Sequence, residues 1–222
     1  VKLGVILPTF RDNARDALDT ARHCADVGID GVFAYDHLWP MGTPTRPSLA
    51  PFPVLAAISQ RCPTLHLGPL VARVGMVGQS HLVRQFRSLS SLAPGRVVAA
   101  MGTGDTKSRD ELDAYGLDFA PVDERRRQVR HVATELKDEM TVWIGAGAPA
   151  TNQIAWDLHV TLNVWDADIE KVRTLRSRGP LTWAGPSREG LGEWLSALEA
   201  EGVEWAVLDP KVDIDVLANW RQ

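Results

Sequence analysis

The chain has 222 residues, with 24 Lys and Arg against 28 Asp and Glu, for a formal net charge of −4. Hydrophobic residues make up 45% and charged residues 23%, the balance of a folded globular protein with a core that needs no staples. The acidic balance argues against a nucleic-acid-binding surface, and no apolar run approaches a membrane span. The two cysteines, Cys24 and Cys62, match no metal or redox spacing and read as small core residues in a reducing cytoplasm.

In chain order, apolar runs of strand length alternate with helical patterns. Leu3 to Leu7 predicts a first strand, entered at once from Val1 with no targeting segment legible before it. Ala14 to Val27 has helical spacing, and Gly28 suits its stop. Gly31 to Tyr35 predicts strand two and Phe52 to Ser59 a short helix. Leu65 to Val71 follows as strand three, Leu82 to Leu92 as a helix ended by Pro94-Gly95, and Val97 to Met101 as strand four. A long polar excursion separates that strand from a helix over about Asp123 to Leu136. The last four strands are Thr141–Ile144, Val160–Val164, Leu181–Ala184 and Val203–Leu208. Their helices are Ala150–Asp157, Ile169–Arg176, Arg188–Ala200 and Ile214–Trp220.

Eight strands and eight helices in strict alternation predict an α/β fold. Near-continuous apolar strands belong to a parallel sheet covered on both faces. Eight βα units with no spare element favour closure into a single compact (β/α)8 TIM barrel over an open sheet. With no linker or low-complexity stretch, residues 1–222 are expected to form one domain with few insertions.

In such a barrel the chemistry lies at the carboxyl ends of the strands. Strand two ends in Asp36-His37-Leu38-Trp39-Pro40 and strand four in Gly102-Thr103-Gly104-Asp105. Strand five runs into Gly145-Ala146-Gly147-Ala148-Pro149 at the start of a helix. Small residues ahead of a helix N-terminus can cradle a phosphate on backbone N–H groups, or merely allow a tight βα turn; both alternatives stay open. Neither glycine pair completes a Walker loop or a dinucleotide fingerprint. His37 and Asp105 could serve as acid and base near neutral pH. Equally, His37 could be a satisfied loop histidine and Asp105 the cap of the following helix. His81 heads a helix and could lie near the mouth. Trp39, Trp165 and Trp183 fall at strand ends, as walls for a flat ligand or as plugs of the barrel. Arg73, Lys107 and Arg109 are the expected contacts for an anionic ligand. No HExxH, cysteine pair or acidic triplet predicts a metal.

Three segments, "GVFAYDHLWP", "HLGPLVARVGMVGQSHLVRQFRSLSSLAPGRVVAAMGTGD" and "VWIGAGAPATNQIA", resemble the bacterial-luciferase-like family of flavin and deazaflavin oxidoreductases. The likeness runs from strand one to about Trp165. Its Asp-His and Gly-Thr-Gly-acid motifs are similar to the branch that uses coenzyme F420, a deazaflavin; flavin mononucleotide (FMN) is the alternative cofactor. The resemblance implies a hydride-transferring enzyme with a small organic substrate; an FMN monooxygenase and a barrel that binds without turnover are the other readings, and a homodimer is the candidate assembly. It places His37 at the branch's active-site histidine and Asp105 at a proton donor that is glutamate in the sugar-phosphate dehydrogenases. It also gives Asp36, Gly102, Thr103 and Gly104 to the cofactor site, and Gly145, Ala146, Gly147 and Ala148 to the phosphate turn. Leu70, Val71 and Ala72 match a bulge with a non-prolyl cis peptide that props the cofactor ring. The usual Ala-Asp-Gly before strand six is replaced by "AWDLHV".

Overall fold

A computed structural model describes residues 1–221. Its strands are β1 (Lys2–Ile6), β2 (Gly31–Ala34), β3 (His66–Pro69), β4 (Ala72–Arg73), β5 (Val98–Gly102), β6 (Thr141–Gly145), β7 (Thr161–Trp165), β8 (Leu181–Gly185) and β9 (Trp205–Leu208). The helices are α1 (Arg15–Asp26), α2 (Pro51–Arg61), α3 (Gln79–Leu92), α4 (Arg109–Ala114), α5 (Val122–Leu136), α6 (Pro149–Leu158), α7 (Ile169–Arg176), α8 (Leu191–Ala200) and α9 (Ile214–Asn219). All strand pairs are parallel, in the order β3-β2-β1-β9-β8-β7-β6-β5-β4.

The expected third strand is thus two pieces. β3 pairs with β2, while β4 pairs with β5. Between them lies Leu70–Val71, joined by a cis peptide bond. A bridge from Leu67 to Val97 brings the two edges together, so the sheet closes into a barrel as expected. Gly68 sits at this seam, where an added Cβ would lie 2.1 Å from the Val98 carbonyl oxygen. The expected polar excursion after β5 is also more ordered than its sequence suggests. It carries a 3-10 turn, Thr106–Ser108, and then α4.

Strand residues alternate between two cores, as the period of two requires. Leu3, Val5, Val32, Met101, Ile144, Leu162, Trp183 and Leu208 face the helices. Ile6, Phe33, Val98, Ala100, Trp143, Ala184, Trp205 and Val207 face the bore. Three rings fill it. Phe33 stacks on Trp143 at 5.2 Å and meets Trp205 edge-on at 5.7 Å. Gly4 makes room for them, since a Cβ there would come within 2.8 Å of the Phe33 ring. On α1, Ala17, Ala21 and Cys24 form the buried stripe. Cys24 and Cys62 are both free and buried. Burial first, and then the neighbouring Cys62, push the Cys24 thiol up to about 12, which leaves it unreactive. Among the described residues, no helix is long and apolar enough to cross a membrane.

Candidate functional site

The strand ends open into one cavity of about 500 Å3. One wall comes from β3 to β6: Leu70, Val71, Arg73, Gly102, Thr103, Gly104, Gly145, Ala146 and Gly147. The other comes from the segments after β1, β2 and β7: Phe10, Tyr35, His37, Met41 and Trp165, with Asp105 and Ser108 completing the lining. A wider groove of about 770 Å3 beside α1 is lined by residues from Asn13 to Asp19 and Arg61, none of them at a strand end.

Val71 shapes the first wall. An added Cβ at Gly102 would lie 2.8 Å from its Cγ2, and one at Gly145 would lie 3.3 Å away. Glycine at 102 lets the Leu70–Val71 bulge rest on β5, and glycine at 145 spares it a tight contact with β6. Ala72 turns away from the cavity into the helix-facing core.

At His37 the structure reveals a partner that the strand ends alone did not disclose. Its Nδ1 lies 2.8 Å from Glu111 Oε1. Glu111 Oε2 accepts the Leu38 N–H at 2.7 Å and Arg73 Nη2 at 3.0 Å. Glu111 is 1% exposed and Arg73 6%. A carboxylate only accepts, so the His37 nitrogen facing it carries the hydrogen. That leaves Nε2 as the ring nitrogen free for other work. Glu111 sits in the first turn of α4, inside the stretch that the sequence shows as a long polar excursion.

Asp36 stays out of the lining and instead accepts the Arg73 backbone N–H at 2.8 Å, tying the end of β2 to β4. Burial pushes its carboxyl above the usual range, partly offset by that N–H and by the Arg73 charge. The folded state therefore holds the proton more tightly than the unfolded chain. Stability falls as pH rises from about 4 towards the folded value, and the whole penalty is present above it. Asp36→Asn, which keeps an acceptor for the N–H, is expected to raise stability at neutral pH and flatten that slope. Urea midpoints taken between about pH 4 and pH 8 measure it.

Asp105 is at the rim, exposed, and caps the 3-10 turn. Its Oδ1 accepts Lys107 N–H at 2.9 Å and Ser108 N–H at 3.2 Å. Gly104, with φ +67°, supplies the left-handed step before it. A second residue that sequence patterns left unmarked, Arg125, fastens this turn. Buried on α5, it donates to the carbonyls of Thr103 and Gly104 and, through Nε, to that of Ala120 at 3.0 Å. Its guanidinium lies 4.1 Å from the centre of the Phe119 ring.

After β6, Ala148 is the N-cap of α6 with no side-chain cap; Pro149 has no N–H and the Thr151 N–H is bound to the Ala148 carbonyl at 2.8 Å, which leaves the Ala150 N–H at this end for a ligand. Gly147 N–H is already bound to Asn152 Oδ1 at 2.9 Å. Arg126 flanks this end, with Nε 3.2 Å from Thr151 Oγ1. Ala148 itself does not line the cavity.

Several expected neighbours lie elsewhere. Of the three tryptophans, Trp165 alone lines the cavity. Trp183 is fully buried on the helix side of β8, with its indole N–H on the Ala167 carbonyl. Trp39 packs against Tyr115. His81 sits in a groove between α2 and α3, away from the mouth. Arg109 lies over Phe119, and neither it nor Lys107 lines the cavity. Among the described residues, no cluster of three or more His, Cys, Asp or Glu could hold a metal ion.

A sequence profile described as luciferase-like monooxygenase matches residues 1–138. The chain belongs to the luciferase-like monooxygenase family. The profile ends just past α5, short of Trp165, where the resemblance in sequence motifs ends. An F420-dependent glucose-6-phosphate dehydrogenase of Intrasporangium calvum is 29% identical over 140 residues, covering 62% of this chain and 41% of that enzyme. The match thus spans less than half of that relative. Among solved structures, an F420-dependent secondary alcohol dehydrogenase with an F420–acetone adduct has a TM-score of 0.82 at 12% identity, covering 98% of this chain and 97% of that one. The coenzyme F420-dependent tetrahydromethanopterin reductase of Methanopyrus kandleri has a TM-score of 0.75 at 12% identity, covering 99% and 96%. These likenesses show that the barrel fold extends through the segments beyond residue 138.

Proposed function

We propose that this member of the luciferase-like monooxygenase family is an oxidoreductase that uses coenzyme F420 and exchanges a hydride with a small organic substrate. On this reading the barrel works as one domain, in a reducing compartment such as the cytoplasm. The observation that carries it is the meeting of three features at one cavity: His37 held by Glu111, the Leu70–Val71 wall, and the turn at Gly145–Gly147. The named relatives that use F420 support the same cofactor.

The residues present fit a deazaflavin. The cavity is large enough for a flat tricyclic ring beside a small substrate, within the usual range for ligand sites. The glycines at 102 and 145 leave the Val71 wall free of side chains that would displace it. The uncapped start of α6 and Arg126 suit a phosphate. When bound, F420 supplies the hydride acceptor or donor.

The chain's own residues handle the proton. Oxidation of an alcohol releases a hydride from carbon and a proton from oxygen; His37 Nε2 takes that proton, and returns it in the reverse direction. Glu111 fixes the tautomer that makes Nε2 the acceptor. Asp105, with Oδ1 engaged in capping, has Oδ2 left to hydrogen-bond at the rim. His37→Asn is expected to lower turnover about 10²–10⁴-fold while F420 still binds. Fluorescence titration with F420 and with FMN, followed by single-turnover hydride transfer, tests the proposal. Binding of FMN alone, with NADH-coupled oxygen uptake, would replace it with a flavin monooxygenase. Binding without hydride exchange would leave a ligand-binding barrel.

A further inference from the structure

Resting on the F420 proposal, we infer that the half of the cavity formed by Phe10, Tyr35, Met41 and Trp165 binds the substrate, and that this substrate is an uncharged, largely apolar alcohol or carbonyl compound rather than a phosphorylated one. Phe10 and Tyr35 stack with centroids 5.4 Å apart and planes 13° apart. Trp165 is 6.2 Å from Tyr35. His37 lies 6.5 Å from Phe10 and 6.3 Å from Tyr35, so the proton-handling imidazole borders this aromatic patch. Trp165, 51% exposed, and Met41, 55% exposed, leave apolar surface open at the rim. Such surface gains by covering an apolar ligand and offers no positive charge to an anion. The Tyr35 hydroxyl stays neutral, because burial, reinforced by the Asp209 charge, raises its pKa.

The charge inventory points the same way. Among the described residues lining the cavity, Arg73 is the one Lys or Arg. Its Nη2 is bound to Glu111, and its Nε and Nη1 are buried without a partner. The closed void beside it, lined also by Thr103, Ser108 and Arg125, measures about 10 Å3. That is room for about one water molecule, and the Arg73 charge is already matched by Glu111. The remaining charged group at the rim, Asp105, would repel an anion. The sugar phosphate named for the Intrasporangium calvum relative therefore has no matching cation on this side of the cavity.

The test uses acetophenone and glucose 6-phosphate as probes, with calorimetric binding to the F420-loaded protein and to the protein alone. Acetophenone is expected to bind saturably and glucose 6-phosphate not to bind. Trp165→Ala should weaken acetophenone about tenfold, and Trp165→Phe should restore most of that loss. Because Trp165 is half exposed, neither change threatens the fold. Glucose 6-phosphate binding as tightly as acetophenone, or acetophenone binding unchanged by Trp165→Ala, would overturn the inference. F420 affinity is read separately from the cofactor's own fluorescence. If F420 fails to bind at all, the cofactor proposal falls, while acetophenone binding to the protein alone still decides the substrate class.

Discussion

Glu111→Ala is expected to destabilise the protein by about 3–5 kcal/mol, the usual consequence of stranding one member of a buried ion pair. Arg73, 6% exposed, would lose the carboxylate it is paired with at 3.0 Å. The Leu38 N–H would lose its acceptor, and the His37 ring would lose the bond at 2.8 Å that sets its tautomer. Urea denaturation measures the loss. Glu111→Gln separates the structural from the chemical consequence. Its amide oxygen can still accept from Leu38, but the charge opposite Arg73 is gone. A folded Gln variant that binds F420 yet transfers hydride slowly would assign Glu111 as the positioning residue for His37. A Gln variant with full turnover would remove Glu111 from that role.

Gly68→Ala should be nearly as damaging, at more than about 3 kcal/mol, for a different reason. The new methyl would stand 2.1 Å from the Val98 carbonyl oxygen. A backbone oxygen at a sheet seam cannot swing aside as a flexible side chain can. The β3–β5 closure must widen, and with it the wall that carries Leu70 and Val71. Gly28→Ala is the control. Gly28 has φ +81° and nothing within 4 Å of an added Cβ, so its loss is limited to the strain of a left-handed alanine, about 1 kcal/mol. Thermal or urea unfolding of the two variants side by side checks the ordering.

The barrel was legible in the sequence because parallel strands covered on both faces are continuous apolar runs, and the glycine-bearing strand ends stand out against them. The cis bond between Leu70 and Val71 was foreseen only through family likeness; nothing in "GPLVAR" announces it. Glu111 was missed because four of the seven residues in "SRDELDA" are charged, so the stretch passes for part of the polar excursion. The clue was Leu112 beside it, an apolar residue that has to be buried in an otherwise charged turn. Trp165 and Trp183 look alike as strand-end tryptophans, and alternation separates them. Trp165 shares parity with Asn163, whereas Trp183 shares parity with Leu181 on the helix side. Counting by twos along β7 and β8 would have sorted them. Arg125 offers no such clue, since two of its three carbonyl partners, Thr103 and Gly104, belong to a turn some twenty residues earlier.

The packing of Phe33, Trp143 and Trp205 across the bore has one further implication. With the bottom corked by rings, traffic is confined to a single doorway. Any ligand of this cavity therefore comes and goes past the exposed rim residues Met41 and Trp165, never through the core of the barrel.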